Sequence, residues 1–320
     1  MRLTTLASNR NGAPGKALRR CRKPLHCCHK ESFLPCPVPD PIAYYRSQLD
    51  ARAAIPDHPY IFTRWVRSSE QVRRGHAALL DLAYGDADGE RLDFFPARQA
   101  GAPLLVFIHG GWWRSLDKSD FSFIVPAWLE AGFSVALTNY TLAPAAPIED
   151  MVTQQQRALA WLYRRADQYD FDAGRISVAG HSAGAHLAAM MLATDWRALD
   201  PELPPDLLKA GVLLSGLYDL QPVLQAPFVN DDLRLTPARA TALSPALLPA
   251  PSAPFVSAVG GLESDEFRRQ TALLAERWQA CHRADLPLPA ANHLTICDAF
   301  AAPGETLHDA SVDFLRKAAH

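Results

Sequence analysis

The sequence predicts an α/β fold with a mostly parallel central sheet that is covered by helices on both faces. Short, continuous apolar runs alternate with longer helical runs from residue 104 onward, and a Gly-rich turn joins one of these runs directly to a helix. Continuous apolar strands are typical of parallel sheets that are buried on both faces. A chain of 320 residues with 48% hydrophobic content is long enough for one such domain, which we assign to residues 40–320.

The first 39 residues differ in composition from this domain. Residues 1–30 carry eight of the 32 Lys and Arg residues and no Asp or Glu, so the remaining 24 basic residues face all 34 acidic ones and leave a charge of about −10. Four of the six cysteines also lie here: Cys21, Cys27, Cys28 and Cys36. They form no C-x-x-C pair, which argues against a zinc site, and an apolar signal-peptide core is missing. We expect residues 1–39 to be a basic, disordered leader, and an organelle transit peptide is an alternative.

The composition of the domain excludes several classes of function. Its acidic balance is not that of a nucleic-acid-binding surface, and no run approaches the ~18 apolar residues of a membrane span. Its two cysteines, Cys281 and Cys297, do not make a disulfide-stapled secreted domain. We therefore expect a cytoplasmic protein whose partner is a small molecule. The sequence leaves open whether it forms a homodimer.

The predicted elements follow one another in a regular order. Residues 40–76 mix aromatic and charged side chains and predict short helices over the core. Residues 79–84 and 91–95 alternate with period two around a Gly/Asp-rich turn and predict an antiparallel hairpin. The remaining elements are strand 104–108, helix 121–131, strand 134–137, helix 152–167, strands 176–179, 210–215 and 255–259, helix 266–283, strand 286–291 and helix 306–318. Two prolines in strand 286–291 restrict it to a sheet edge.

The Gly-rich turn is the centre of the predicted chemistry. Residues 180–184 read Gly-His-Ser-Ala-Gly and fit G-x-S-x-G, with strand 176–179 before them and an Ala/Leu/Met-rich helix after them. This is the nucleophile elbow of α/β-hydrolases, in which a sharp turn lifts the serine hydroxyl above the carboxyl end of the sheet. The sequence therefore predicts an α/β-hydrolase fold with Ser182 as the nucleophile.

A serine nucleophile needs a base and an acid, which in this fold follow it in the order acid, then histidine. His293 comes after strand 286–291 and is the predicted base, whereas His308 is predicted to lie on the surface of the closing helix. Glu263 comes after strand 255–259 and is the predicted acid. Asp265 and Asp219 stay open as alternatives for the acid, with a role at a helix N-terminus as the structural reading of Asp265.

A second motif predicts the donors for the oxyanion. Residues 109–113 read His-Gly-Gly-Trp-Trp and follow strand 104–108. In this fold the loop after that strand supplies backbone N–H groups together with the residue after the nucleophile, so Gly111, Trp112 and Ala183 are the predicted donors. Trp113 and Tyr218 are predicted to contact substrate. Packing of both tryptophan rings into the core is the alternative.

Residues 218–254 carry seven of the 26 prolines and no clear period. So many helix and strand breakers predict a loop with short helices. In a hydrolase such a segment is the usual place for a lid or cap over the pocket.

These motifs resemble those of a known family. The His-Gly-Gly-Trp-Trp segment resembles the H-G-G-[aromatic]-W signature of the serine-hydrolase kynurenine formamidases, also called arylformamidases. Segments 215–220, 263–270 and 292–293 are also similar to that family, so the resemblance runs from about residue 40 to the end. The sequence departs from the family at Glu263, where the family more often has Asp.

The resemblance implies a hydrolase that removes a small acyl group from an aryl amide or ester through an acyl-serine, with N-formylkynurenine as the expected substrate. It implies no metal and no organic cofactor. The His-Gly-Gly segment is shared with esterases similar to hormone-sensitive lipase, so a short-chain carboxylesterase is the first alternative. An inactive hydrolase-fold binding protein is the second.

Overall fold

The computed structural model describes residues 40–318, and its centre is an eight-stranded sheet with the strand order β1-β2-β4-β3-β5-β6-β7-β8. The strands are β1 (Leu79–Ala83), β2 (Arg91–Phe95), β3 (Ala102–Ile108), β4 (Ser134–Thr138), β5 (Phe171–His181), β6 (Leu208–Leu214), β7 (Phe255–Gly260) and β8 (His282–Leu288). The pairs β1–β2 and β2–β4 are antiparallel and the other five are parallel. The predicted α/β fold with a mostly parallel sheet is confirmed. The predicted leader lies outside the described residues.

Helices cover both faces of this sheet. They are α1 (Pro41–Leu49), α2 (Ala51–Ala54), α3 (His58–Gly75), α4 (Val125–Glu130), α5 (Ile148–Arg164), α6 (Ala166–Tyr169), α7 (Ala183–Leu192), α8 (Trp196–Leu199), α9 (Pro227–Leu233), α10 (Pro237–Ala242), α11 (Asp265–Arg277), α12 (Thr295–Phe300) and α13 (Thr306–Ala318). Three short 3-10 helices add to them: Lys118–Ile124, Gln221–Gln225 and Pro245–Leu247. No helix within residues 40–318 is both long enough and apolar enough to cross a membrane.

Two apolar cores lie on opposite faces of the sheet, and β3 contributes to both. Leu104, Val106 and Ile108 pack with α5 and α7 on one face, whereas Leu105 and Phe107 pack with α4, α12 and α13 on the other. Because successive side chains of a strand point to opposite faces, a strand buried on both sides has to be apolar at every position. This explains the continuous apolar run at residues 104–108.

The strand order also determines where a site can form. The chain leaves β3 to reach β4 on one side and later returns to place β5 on the other side of β3. Ligands in open α/β sheets bind at such a switch point, beyond the carboxyl ends of the strands. The loops after β3 and β5, which carry the two predicted motifs, therefore lie next to each other.

The structure differs from the prediction at two helices, one strand and one side chain. The predicted helix 121–131 begins as the 3-10 helix Lys118–Ile124, which Asp117 caps, and becomes α-helical only at α4, where Pro126 occupies the first turn. The last strand begins at His282 rather than at residue 286, since α11 already ends at Arg277, and it pairs with β7 alone, at the sheet edge. The side chain is that of His308, which is predicted at the surface of α13 but is buried, with its ring centroid 5.4 Å from that of Trp128.

The proline-rich segment 218–254 contains short helices, as its composition predicts. Three of them begin at a proline: α9 at Pro227, α10 at Pro237 and the 3-10 helix at Pro245. Proline suits the first turn of a helix because the N–H it lacks would have no partner there. The prolines thus start the helices of this segment.

Candidate active site

The nucleophile elbow joins β5 to α7 through a strained turn at Ser182. Its φ of 56° and ψ of −119° lie outside the usual regions for an L-residue. The two glycines of the motif are required by close backbone contacts. A Cβ at Gly180 would lie 2.2 Å from the carbonyl oxygen of Gly184, and a Cβ at Gly184 would lie 2.0 Å from that of Ile108. The turn therefore holds the serine beyond the carboxyl ends of β3 and β5.

The structure brings Ser182, His293 and Glu263 together in one hydrogen-bonded chain. Ser182 Oγ lies 3.0 Å from His293 Nε2, and His293 Nδ1 lies 2.6 Å from Glu263 Oε2. All three residues are buried. With the Nδ1 proton donated to the carboxylate, Nε2 is free to accept the proton of the serine hydroxyl. The geometry is that of a serine nucleophile with its base and its orienting acid.

Glu263 is held by two further hydrogen bonds. Its Oε1 accepts from the hydroxyl of Ser215 at 2.5 Å and from the backbone N–H of Gly260 at 2.7 Å. The two alternative acids have other partners. Asp265 is 84% exposed and pairs with Arg268, as expected for a helix N-terminus, and Asp219 pairs with Arg269. The geometry therefore favours Glu263 as the acid.

His293 is fixed by the turn in which it lies. The side chain of Asn292 accepts from the N–H groups of Leu294 and Thr295, both at 2.9 Å, and so forms the turn that begins α12. On the other side, His181 Nε2–H donates to the carbonyl oxygen of His293 at 2.7 Å. Burial, and then the nearby His293, hold the pKa of His181 well below its ordinary value. His181 is therefore an uncharged support for the base.

The loop after β3 has the backbone geometry of an anion-binding loop. Gly111, Trp112 and Trp113 all have positive φ values, of 112°, 57° and 56°. A Cβ at Gly111 would lie 2.0 Å from the carbonyl oxygen of Ser115, so only glycine fits there. No hydrogen bond recorded within residues 40–318 uses the backbone N–H groups of Gly111, Trp112 or Ala183. These three donors are available to an oxyanion at Ser182.

The two adjacent tryptophans have different surroundings. Trp112 lines the pocket at Ser182 and lies edge-on against Phe228. Trp113 is 0% exposed, and its Nε1–H donates to His186 Nδ1 at 3.3 Å. His186 in turn donates from Nε2 to the carbonyl oxygen of Leu243 at 2.7 Å, and burial lowers its pKa to about 4. Trp113 thus packs behind the oxyanion loop.

The structure does not bring the two predicted substrate-contact residues to the pocket. Trp113 and Tyr218 are both 0% exposed, so their side chains form part of the core. Among the described residues, Arg52 and Phe62 of the N-terminal helices line the pocket instead, together with Trp112. The pocket is small, with a volume of about 30 Å³ open to the centre of a water-sized sphere.

The comparisons with known proteins agree with this geometry. The BD-FAE family model matches residues 92–206. A kynurenine formamidase of Danio rerio is 36% identical over 211 residues, which cover 63% of this chain and 69% of that protein. The chain belongs to the kynurenine formamidase family.

Two other proteins that are similar to this chain of the kynurenine formamidase family are named for other hydrolase activities. A protein of Silicibacter sp. TM1040, named as a candidate thioesterase, is 32% identical, with a TM-score of 0.65 over 76% of this chain and 88% of its own. The esterase LipQ of Mycobacterium tuberculosis is 30% identical over 162 residues, 46% of this chain and 37% of that protein. The predicted α/β-hydrolase fold is confirmed, and the chain is a hydrolase of that fold.

Three residues of the site were missed by sequence reasoning. Ser215 and His181 support the acid and the base, and Arg52 lines the pocket. Ser215 directly follows a strand and His181 lies inside the elbow motif, so the sequence could have indicated that both residues lie near the site. Arg52 lies in a helix of four residues, and no sequence pattern indicated that it lines the pocket.

Within residues 40–318, no group of three His, Cys, Asp or Glu side chains converges to hold a metal ion.

Proposed function

We propose that this formamidase-family hydrolase cleaves N-formylkynurenine to formate and the free aromatic amine. The observation that carries the proposal is the assembled set of Ser182, His293 and Glu263 beside a narrow pocket, in which about 30 Å³ is open to the centre of a water-sized sphere. So little space suits a formyl group, the smallest acyl group. The name of the Danio rerio relative supports the same substrate.

The reaction follows from the hydrogen bonds of the three residues. Ser182 Oγ attacks the formyl carbon while His293 Nε2 takes the hydroxyl proton, and the negative oxygen accepts from the N–H groups of Gly111, Trp112 and Ala183. When this tetrahedral intermediate collapses, the C–N bond breaks and His293 returns the proton to the departing aniline nitrogen. A water then attacks the formyl-serine with His293 as base, which releases formate and restores Ser182. Throughout, the carboxylate of Glu263 stabilises the imidazolium.

Acyl chain length tests the proposal, with Trp112 next to the acyl group. We expect kcat/KM for p-nitrophenyl esters to fall at least about tenfold from acetyl to octanoyl, which corresponds to ~1.4 kcal/mol of transition-state binding. N-formylkynurenine is expected to exceed both esters. Ser182→Ala is the control for background hydrolysis. A preference for the octanoyl ester without formamide hydrolysis would overturn the proposal.

A short-chain carboxylesterase is the second candidate, because LipQ is an esterase and the same three residues cleave esters and amides. The two candidates differ in the leaving group that His293 has to protonate. An esterase prefers the acetyl ester to N-formylkynurenine, whereas a formamidase prefers the reverse. The assembled triad favours either enzyme over an inactive binding protein.

The cytoplasm is the compartment that we propose for this enzyme. In the part of the chain that the structure describes, both cysteines, Cys281 and Cys297, are buried free thiols, as is usual in a reducing compartment. Imaging of the full chain with a C-terminal tag, beside a variant that lacks residues 1–39, tests this. Organelle staining that requires residues 1–39 would contradict it.

A further inference from the structure

A second cleft adjoins the pocket at Ser182. It has a volume of about 230 Å³ open to the centre of a water-sized sphere, and Arg46, Arg52, Trp112, Arg114 and Phe228 are among its lining residues. Arg52 and Trp112 line both this cleft and the pocket. A substrate whose acyl group occupies the small pocket can therefore extend past Trp112 into the larger space. We call this second space the arginine cleft.

The arginine cleft has more positive than negative charge. Three arginines line it, and Asp50 is the one carboxylate among its lining residues. Arg114 pairs with Asp232 at 2.5 Å. Within residues 40–318, no carboxylate lies within ion-pair distance of Arg46 or Arg52. The cleft thus contains two guanidinium groups without a salt-bridge partner.

The contacts of Arg52 supply no anion: its guanidinium lies over the Phe62 ring, 5.2 Å from the ring centroid. Its Nη2 donates to the neutral hydroxyl of Ser115 at 3.0 Å. The nearest acid in sequence, Asp50, uses an oxygen to cap α2 by accepting from the N–H of Ala53 at 3.1 Å. Burial and then the charge of Arg114 lower the pKa of Arg52, against a smaller opposite effect of Asp50. Neither Ser115 nor Asp50 therefore gives Arg52 an ion pair.

We propose that the arginine cleft binds a carboxylate carried by the leaving group of the substrate, and that Arg52 is the contact nearest to the reacting serine. A guanidinium presents two parallel N–H donors that match the two oxygens of a carboxylate, and such pairs are among the stronger hydrogen bonds of proteins. This inference rests on the proposed acyl transfer at Ser182. It adds a requirement for charge on the part of the substrate that departs.

A pair of esters with the same acyl group tests the charge directly. The anionic substrate is 3-acetoxybenzoate and the neutral one is its methyl ester, and the quantity measured is the ratio of their kcat/KM values. The wild-type ratio is expected to favour the anion. In Arg52→Met this ratio is expected to fall at least tenfold, and in Arg52→Lys by less, because a charge remains without the planar fork. Division by the neutral ester removes any general loss of activity or folding.

A matched control is the exposed Arg197 of α8, which lies outside both clefts and has no ion pair with any residue in the range 40–318. Arg197→Met is expected to keep the wild-type ratio. Raising the salt concentration from 0.05 to 0.5 M is expected to reduce the wild-type ratio, because salt screens exposed charges. An equal ratio in the wild type and Arg52→Met would overturn the inference, whatever the result with formamides. If the enzyme does not hydrolyse N-formylkynurenine but the ratio still depends on Arg52, the proposed substrate is wrong. Carboxylate binding in the arginine cleft is then supported.

Discussion

The two sides of the pocket are built differently. On the side of the sheet, Ser182, His293 and Glu263 are buried and joined by hydrogen bonds. On the opposite side, Arg52 is partly exposed on a helix of four residues, and its hydrogen bond goes to the Ser115 hydroxyl. Acyl transfer needs reacting groups held within fractions of an ångström, whereas recognition of charge tolerates movement. Because of this difference, we expect that substitutions can change the rate of acyl transfer and the preference for charged substrates separately.

The largest effect is expected on the side of the sheet. Ser182→Ala and His293→Ala are each expected to lower kcat by about 10⁴-fold or more, because members of such a unit act together and fail together. The measurement is kcat for the acetyl ester and for N-formylkynurenine, with folding checked by circular dichroism. If either variant keeps more than a tenth of the wild-type kcat, the role given to that residue is wrong.

The choice of acid gives the next largest effect. Glu263→Gln is expected to lower kcat by about 10³- to 10⁴-fold, because the amide favours the wrong tautomer of His293. Asp265→Asn is the matched control, since its exposed carboxylate pairs with Arg268 at the start of α11. It is expected to stay within twofold of wild type. The reverse ranking, with both variants folded, would move the assignment to Asp265.

The sequence predicted the parts of the site that local sterics require. Gly180 is required by a close backbone contact within the elbow and Gly184 by one with Ile108 of β3, and these requirements leave a recognisable motif in the sequence. The order of nucleophile, acid and base then located Glu263 and His293, because each follows a predicted strand. The outer limits of strands were less predictable. Residues 282–285 alternate in exposure at the sheet edge and lack the apolar run of a buried strand.

The tryptophans show what the sequence could not decide. Trp112 and Trp113 are neighbours with nearly equal positive φ values, yet one lines the pocket and the other packs on His186. The ring that faces inward, Trp113, donates to His186, which is 73 residues away in the sequence. The contact of Ser215 with Glu263 likewise spans 48 residues. Contacts of this kind are set by the packing of the whole domain, so a position directly after a strand, such as that of Ser215, does not show which distant residue it will contact.

Ser215 offers a smaller effect that tests how firmly the acid has to be held. Ser215→Ala is expected to lower kcat by about 10- to 100-fold, because a hydrogen bond to a charged group contributes roughly 1.5–3 kcal/mol. The Gly260 N–H still holds the carboxylate, so the loss stays below that of Glu263→Gln. Ser257→Ala is the control, since it removes a buried hydroxyl that bonds to Asp285. Equal kcat values for the two variants would show that Ser215 does not position the acid.

The last prediction concerns stability at low pH and compares the buried side of the site with the exposed surface. Burial lowers the pKa values of His109, His181 and His186, so these rings are neutral in the folded state, and the last has a pKa of about 4. The unfolded chain binds a proton at each of them near pH 6.5, so their contribution is present above that pH and is lost as the pH falls towards the folded values. Between pH 7 and pH 5, His186 with its folded pKa of about 4 is expected to remove about 2 kcal/mol from the free energy of unfolding, and His109 and His181 act in the same direction. Urea unfolding at both pH values measures this loss, and His186→Gln is expected to reduce it by about 2 kcal/mol, since glutamine does not titrate.

The intrinsic effect of the His186→Gln substitution on stability cancels, because the free energies of unfolding at the two pH values come from the same variant. The same change at the exposed His76 is the control and is expected to leave the loss as in wild type. An equal loss in wild type and His186→Gln would mean that His186 is not a neutral buried ring, and the support that it gives to Trp113 would need another explanation.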